Sequence, residues 1–530
     1  MIFKRVFTSA MLLTWVQLAV VAAAVEPLPG EIQKVLDKPL YKNGVWGLKV
    51  VDLESGEVIY ELRPKQKLMT GSVRKLFSIG LALDKLGADH KFVTPIYRRG
   101  EVKDGVLHGD LILVASGDLA MGGRSNPDGS LAIVDYDHNE ANSLGNAELT
   151  KPDVLAGFAA LAKQVAAAGI KEVTGDVIID DRLFEPFNFR GEFDVRPIFV
   201  NDDVVDVMIS PEARVDWRPK SAAFGVEPEL KLAAAKGEFT LQLEPECPQC
   251  LGTAHCAGKV AGELPRGFVP PLTDAYPLVR TFRIAEPQDF ARTVLIEALD
   301  SAGVKVAAAA VAKNDASKLP ASDSYSGNAR VAELVSPPYR EYAKWILKVS
   351  YNIGADTSLM LFGLTQGVRS MQASLDAERK LLGEDFHIAG DEFHFIDGSG
   401  GGDSAATPDA VVSFLRSMRK EKFFDDYRNA LPILATDGSL GFVTDFQKDL
   451  SLSWAKGQVH AKTGTLLTGT DDGIFSLQAQ TLAGYITAKS GRRLAFALFA
   501  NDVAPIRGLE DVIGVFQDEG TISAIIWREN

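Results

Sequence analysis

The sequence predicts an α/β (α+β) fold: an antiparallel sheet flanked by helices, interrupted by a large inserted module. Three observations predict it. A strand hairpin at residues 45–62 precedes a helix that begins near Ser72 and stops at Gly87. A second hairpin, turning at Ser490-Gly491, and a segment with helical apolar spacing, 506–527, close the sequence. Between about 95 and 328 the character changes to strand-like pieces alternating with alanine-rich helices.

The first residues carry Lys4 and Arg5, then an apolar run, then Ala22-Ala23-Ala24, the pattern of a secretory signal cut after Ala24. An uncleaved anchor is the alternative. No cysteine adjoins the cut, which argues against a lipid anchor. Loss of Lys4 and Arg5 takes the formal charge from −14 to −16. So acidic a chain, with no basic run, is a poor nucleic-acid binder. Hydrophobic residues make up 46%, enough for two or three ordinary globular cores in 530 residues.

In "TGSVRKLFSIGLALDKLG" apolar residues recur at three- and four-residue spacing, as in a helix. The three-residue step places Ser72 and Lys75 on one face of its first turn, where an amine can take the serine's proton and free N–H groups can receive an oxyanion. The pair alone is weak: Ser417–Lys420 and Ser453–Lys456 share the spacing and read as surface coincidences.

Within the central region, "KPDVLAGFAALAKQVAAAGIKEV" and "EPQDFARTVLIEALDSAGVKV" resemble each other. Each is a helix introduced by a proline (Pro152, Pro287) and ended by a glycine turn (Gly169, Gly303) before a strand. Between them, near 186–285, a Pro-rich stretch reads as a subdomain. It holds Cys247, Cys250 and Cys256: one disulfide and a leftover thiol suit an oxidising compartment, and zinc bound with His255 is the rival.

Two further patterns follow. Ser350-Tyr351-Asn352 sits where two helices meet, so a hydroxyl and an amide can both face a cleft; a helix cap would use the same residue types. Ser326–Asn328 repeats that spacing in a loop. Lys462-Thr463-Gly464-Thr465 ends a short strand from Val459, and Lys-Thr-Gly occurs once in the chain. Lys462 can lower a neighbouring lysine's pKa by like-charge repulsion or bind a carboxylate, and Gly464 admits close backbone approach. The N–H of Thr465 can pair with that of Ser72 as an oxyanion hole.

Ser72-x-x-Lys75, Ser350-x-Asn352 and Lys462-Thr463-Gly464, in that order, resemble the signature of penicillin-binding proteins and serine β-lactamases. The long gap between Lys75 and Ser350 narrows this to the low-molecular-mass penicillin-binding proteins that act as serine D-alanyl-D-alanine carboxypeptidases and endopeptidases, with a module inserted after the first motif. "FIDGSG" (395–400) and "LPILATDGSLG" (431–441) are similar to segments of that group. Two features depart from it: Tyr351 stands where an acidic residue is common, and "GGDSAAT" follows Gly400 in place of Leu-Ser-Arg.

The resemblance implies a transpeptidase-like core of residues 25–95 and 329–530 and an accessory module, 96–328, that performs no chemistry. It implies a periplasmic DD-peptidase, with or without peripheral membrane association, that uses no metal or other cofactor, acts on peptidoglycan peptides and is inhibited by β-lactams. Ser72, Lys75, Ser350, Asn352 and Lys462 would be catalytic, Lys75 being kept neutral by burial and by the Lys462 charge, while Thr463, Gly464 and Thr465 would hold substrate. The alternatives are a β-lactamase or esterase on the same core, or a non-catalytic wall-binding or β-lactam-sensing protein. Class A β-lactamases add a deacylating glutamate. The nearest candidate, Glu378, reads as a solvated residue of a charged helix.

Overall fold

The computed structural model describes residues 26–234, 237–322, 324–469 and 475–530. The expected signal segment, 1–24, lies outside them. Among the described residues no helix is long and apolar enough to cross a membrane.

A five-stranded antiparallel sheet carries the first and last parts of the chain. Its order is Val58–Leu62, Val45–Asp52, Arg493–Ile506, Phe475–Thr487, Val459–Gly469. Period-two alternation sends successive residues of the middle strand to opposite faces. Phe496, Leu498 and Ala500 join a core with the helix Leu509–Glu529, whereas Ala495, Ala497 and Phe499 join one with the helices of the other layer. Both faces are covered, so Leu494 to Asn501 are buried without a break.

The second layer holds the helices Lys75–Leu86, Tyr339–Val349, Asn352–Thr365, Met371–Glu384 and Pro408–Met418. Lys75–Leu86 is buried from Lys75 through Leu83, which explains why its sequence is apolar nearly all round. The helix does not start at Ser72: Gly71–Arg74 is a 3-10 turn leading into it, and Gly87 ends it at φ 92°.

The inserted region is built on a second sheet. Lys91–Lys103 and Arg330–Pro338, which straddle or flank the expected boundaries at 95/96 and 328/329, pair antiparallel with each other. Val106–Val114, Glu172–Val173 and Lys305–Val306 extend that sheet, with Val177–Asp180 also paired to Val106–Val114. The two similar sequence units lie side by side: their strands Glu172–Val173 and Lys305–Val306 pair in parallel, each behind its helix, Ala156–Ala167 and Pro287–Ser301. Pro287 is the first residue of its helix, but Pro152 stands four residues ahead of Ala156 and starts nothing. Two three-stranded sheets fill much of 186–285, and there Cys250 and Cys256 form a disulfide while Cys247 is free.

The insert does not stand apart. Phe184, Phe187, Phe193 and Phe199 share one core with Tyr342, Trp345 and Phe77 of the helical layer.

Candidate active site

Three segments distant in sequence converge at one end of the helix Lys75–Leu86. Lys75 Nζ donates to Ser72 Oγ at 2.6 Å, to Asn352 Oδ1 at 2.7 Å and to the carbonyl of Ser399 at 2.9 Å. The first contact follows from the local turn. The second depends on Ser350, whose left-handed conformation (φ 63°) ends Tyr339–Val349 and lets Asn352 open the next helix. A serine held at positive φ is strained, a feature that recurs at functional sites. Tyr351, the unusual middle residue, turns inward and stacks on Trp345 with centroids 4.7 Å apart.

The strand Val459–Gly469 passes directly against the serine turn. A Cβ on Gly464 would lie 2.4 Å from the Thr70 carbonyl and 2.8 Å from the Ser72 nitrogen. No other residue fits, and the approach is close on the other side as well: Thr465 N lies 2.9 Å from where a Cβ on Gly71 would be, so the strand backbone at Gly464 and Thr465 packs directly on the turn at Gly71 and Ser72. Thr463 Oγ1 and Ser439 Oγ share a hydrogen bond of 2.7 Å, and Thr465 Oγ1 donates to Gln480 Oε1 at 2.9 Å. Lys348, two residues before Ser350, pairs with Asp437 at 2.6 Å and ties the serine–asparagine turn to the segment beside that strand.

The electrostatics differ from the sequence expectation in one respect. Burial pushes the Lys75 amine down to about 7, and Arg190 adds to the shift, while Asp356, Asp397 and Glu140 oppose it. The cation that acts is therefore Arg190, from the insert. Lys462 is itself fully buried and driven well down, first by burial and then by Lys75, so it is not a fixed positive charge.

The "FIDGSG" loop is tightly ordered despite the altered residues after Gly400. Asp397 accepts from the backbone N–H groups of Ser399, Gly400 and Gly401, at 3.1, 2.7 and 2.8 Å. Ser78 Oγ and Arg74 Nε donate to the carbonyls of Gly398 and Asp397, at 2.7 and 2.8 Å. The loop is thereby clamped to the Ser72 turn and the helix Lys75–Leu86, with the Ser399 carbonyl accepting from Lys75.

Glu378 is not solvated. It is 1% exposed and forms a two-pronged pair with the buried Arg74, at 2.8 and 2.5 Å. The helix Met371–Glu384 turns this residue inward onto Arg74, and each supplies the partner that a buried charge requires. Ser417 and Ser453 lie away from the convergence, on Pro408–Met418 and in a surface turn, each donating to a nearby carbonyl.

Sequence reasoning missed two residues of the insert. Glu140 accepts from Asn352 Nδ2 at 3.0 Å across 212 positions of sequence, and Arg190 acts on Lys75. Both line a cavity of about 440 Å³ that also touches Asn139, Arg283 and Tyr351. Neither stands in a motif, so the sequence carries no signal for them.

Residues 28–515 match the D-Ala-D-Ala carboxypeptidase 3 (S13) family. The chain belongs to that family. Among relatives of this S13 chain is the D-alanyl-D-alanine carboxypeptidase of Actinomadura sp. (strain R39), 26% identical, with 93% of this chain and 85% of that protein covered. Among solved structures, penicillin binding protein 4 from Haemophilus influenzae superposes with a TM-score of 0.68 at 18% identity, over 94% of this chain and 98% of that one. The same protein complexed with a novel β-lactam gives 0.64 at 18% identity, over 94% and 99%. The S13 chain thus shares the penicillin-binding fold along almost its whole length, including the inserted region.

Proposed function

We propose that this S13 peptidase cleaves the bond between two D-alanine residues of peptidoglycan stem peptides through an acyl-Ser72 intermediate. The observation that carries the reading is the Lys75 amine, buried, pushed down to about 7 and hydrogen-bonded to both Ser72 Oγ and Asn352 Oδ1. A neutral amine 2.6 Å from a serine hydroxyl is placed to take its proton as the oxygen attacks. The N–H groups of Ser72 and Thr465 receive the oxyanion. Ser350 passes a proton to the departing D-alanine nitrogen, and the ester carbonyl is left for water. Asn352 orients Lys75 and the substrate amide. Lys462, Thr463 and Thr465 bind the terminal carboxylate, Gly464 giving the peptide room to lie along the strand. Residues 96–328 serve as the accessory module that flanks the cleft.

Cleavage of cross-links between stem peptides uses the same chemistry, and the open cavity beside Asn352 leaves room for a longer acyl donor. β-Lactams enter the site as substrate mimics and acylate Ser72. Glu378, the candidate for a deacylating base, is taken up by Arg74 and is not free to activate a water, so the penicilloyl ester persists. The chain acts in the cell-wall compartment, its first 24 residues serving as the export signal.

One preparation tests the reading. After penicillin treatment, intact-protein mass spectrometry and peptide mapping find a single adduct, in the Ser72 peptide, and Ser72→Ala abolishes it while Ser417→Ala does not. The same preparation releases D-alanine from a peptide ending in D-Ala-D-Ala and hydrolyses penicillin slowly. Rapid repeated turnover of penicillin without D-alanine release overturns the reading in favour of a β-lactamase.

A further inference from the structure

We propose that Glu140, contributed by the inserted module, is a positioning residue of the catalytic centre: its carboxyl holds the Asn352 amide with Oδ1 turned to Lys75. The inference rests on the acyl-serine reading above and assigns the insert a part in it.

An asparagine amide is nearly symmetric in shape, and its two ends have opposite hydrogen-bonding character. With Nδ2 toward Lys75, donor would face donor and the lysine would lose its 2.7 Å acceptor. Something must therefore choose the orientation. The Glu140 carboxyl, 3.0 Å from Nδ2, does so by accepting there: burial raises its pKa above the usual carboxylate range, Arg190, Lys75 and Arg283 counter that rise, and in its ionised form it offers only acceptors. It consumes one of the two N–H bonds of Nδ2 and leaves the other for a substrate carbonyl.

The turn that carries Glu140 is held from both sides. Glu140 ends a 3-10 turn, His138–Glu140, whose N-cap is Asp137. His138 is fully inside, its ring nitrogens 2.6 Å from Asp206 and 2.6 Å from Asp202. Arg124 pairs with both Asp137 and Asp202, at 2.8 and 2.5 Å, and lies 4.2 Å over the Trp345 ring on which Tyr351 stacks. On the other side, Asn142 exchanges two hydrogen bonds with the backbone of Thr281, at 2.8 and 2.9 Å. The same buried network thus fixes Glu140 from the insert and braces the residue before Asn352 from the helical layer. A buried cluster whose charged members, Arg124, Asp137, His138, Asp202 and Asp206, are paired with one another sets geometry.

Glu140 also bears on the proton equilibrium of Lys75. The titratable groups facing that amine are Arg190, Asp356, Asp397 and Glu140 itself, and Lys462, driven well below its ordinary range by burial and then by Lys75, adds no fixed charge. Those facing Glu140 are Arg190, Lys75, Arg283 and Asp137. Removing the Glu140 charge takes away an anion that favours the protonated lysine, so less alkaline solution then suffices to free the base.

The test compares Glu140→Ala and Glu140→Gln with the wild-type chain, using acylation by a fluorescent penicillin from pH 5 to 9 and release of D-alanine from a tripeptide ending in D-Ala-D-Ala. Alanine leaves the amide unheld: acylation and kcat fall about a hundredfold, with KM for the peptide changed by less than about threefold. Glutamine still offers an oxygen to Nδ2: it keeps the high-pH acylation rate within about threefold and moves the acid limb to lower pH. Glu140→Ala acylated at the wild-type rate overturns the proposal. So does Glu140→Gln as slow as alanine at high pH with an unmoved acid limb, and this arm decides the matter if the alanine variant does not fold. A wild-type chain that takes no label at Ser72 would instead sink the acyl-serine reading, so the two failures are distinguishable.

Discussion

In the proposed mechanism Lys75 is the residue on which pH acts. There it must be neutral to accept the Ser72 proton, and burial with Arg190 brings its amine to about 7. A lysine in water holds its proton up to about pH 10.4 and would be a poor base in neutral solution. The sign of the dependence follows: below about 7 the amine is protonated and acylation falls roughly tenfold per pH unit, and above it the rate levels off. A pH profile of penicillin acylation checks this, and a flat profile between pH 5 and 8 would remove Lys75 as the base. Substituting Arg190 with glutamine withdraws a positive neighbour, so the same limb should move to higher pH.

The strand Val459–Gly469 is the element whose placement matters most. Gly464 lets it pass against the serine turn, and Gly464→Val would drive a branched side chain into the Thr70 carbonyl and the Ser72 amide. Because both proposed oxyanion donors belong to the displaced pieces, acylation should fall by about a hundredfold or more, while the strand's pairing with Phe475–Thr487 keeps the sheet assembled. Labelling with penicillin beside a thermal melt separates the two effects. This element was legible in the sequence, as were both hairpins and the helix junction at Ser350, since each is written in local periodicity or a contiguous motif. What was illegible is long-range. Glu378 sits among charges in a helix, and only the fold reveals that it turns inward to Arg74. Glu140 meets Asn352 across 212 residues with no motif of its own. Pro152 looked like a helix start because proline chemistry is local, while the helix itself waits for Ala156.

Across the whole molecule the insert behaves as part of the enzyme's body. Its phenylalanines Phe184, Phe187, Phe193 and Phe199 share a core with Tyr342 and Trp345, and Asp135 accepts from the Gly438 N–H at 2.9 Å beside the Lys-Thr-Gly strand. An excised core would expose those aromatic faces to water. Calorimetry should therefore record one dominant cooperative transition with both regions melting together, and two well-separated transitions would show that the insert is held independently. A separate core under the insert's own sheet gives it rigidity, and the shared one transmits that rigidity to the cleft.

The central strand of the five-stranded sheet, Arg493–Ile506, pairs on one side with Val45–Asp52, and the Met69 N–H donates to Asn501 across 432 residues. This has a consequence for synthesis. A growing chain can assemble its helices and the insert from nearby segments, but the sheet has to wait for the last strands to emerge. Until then the turn at Ser72 lacks the strand backbone of Gly464 and Thr465 that packs on it. On the proposed mechanism a chain halted before residue 459 therefore carries an unarmed nucleophile, and the peptidase gains its chemistry only as its synthesis finishes.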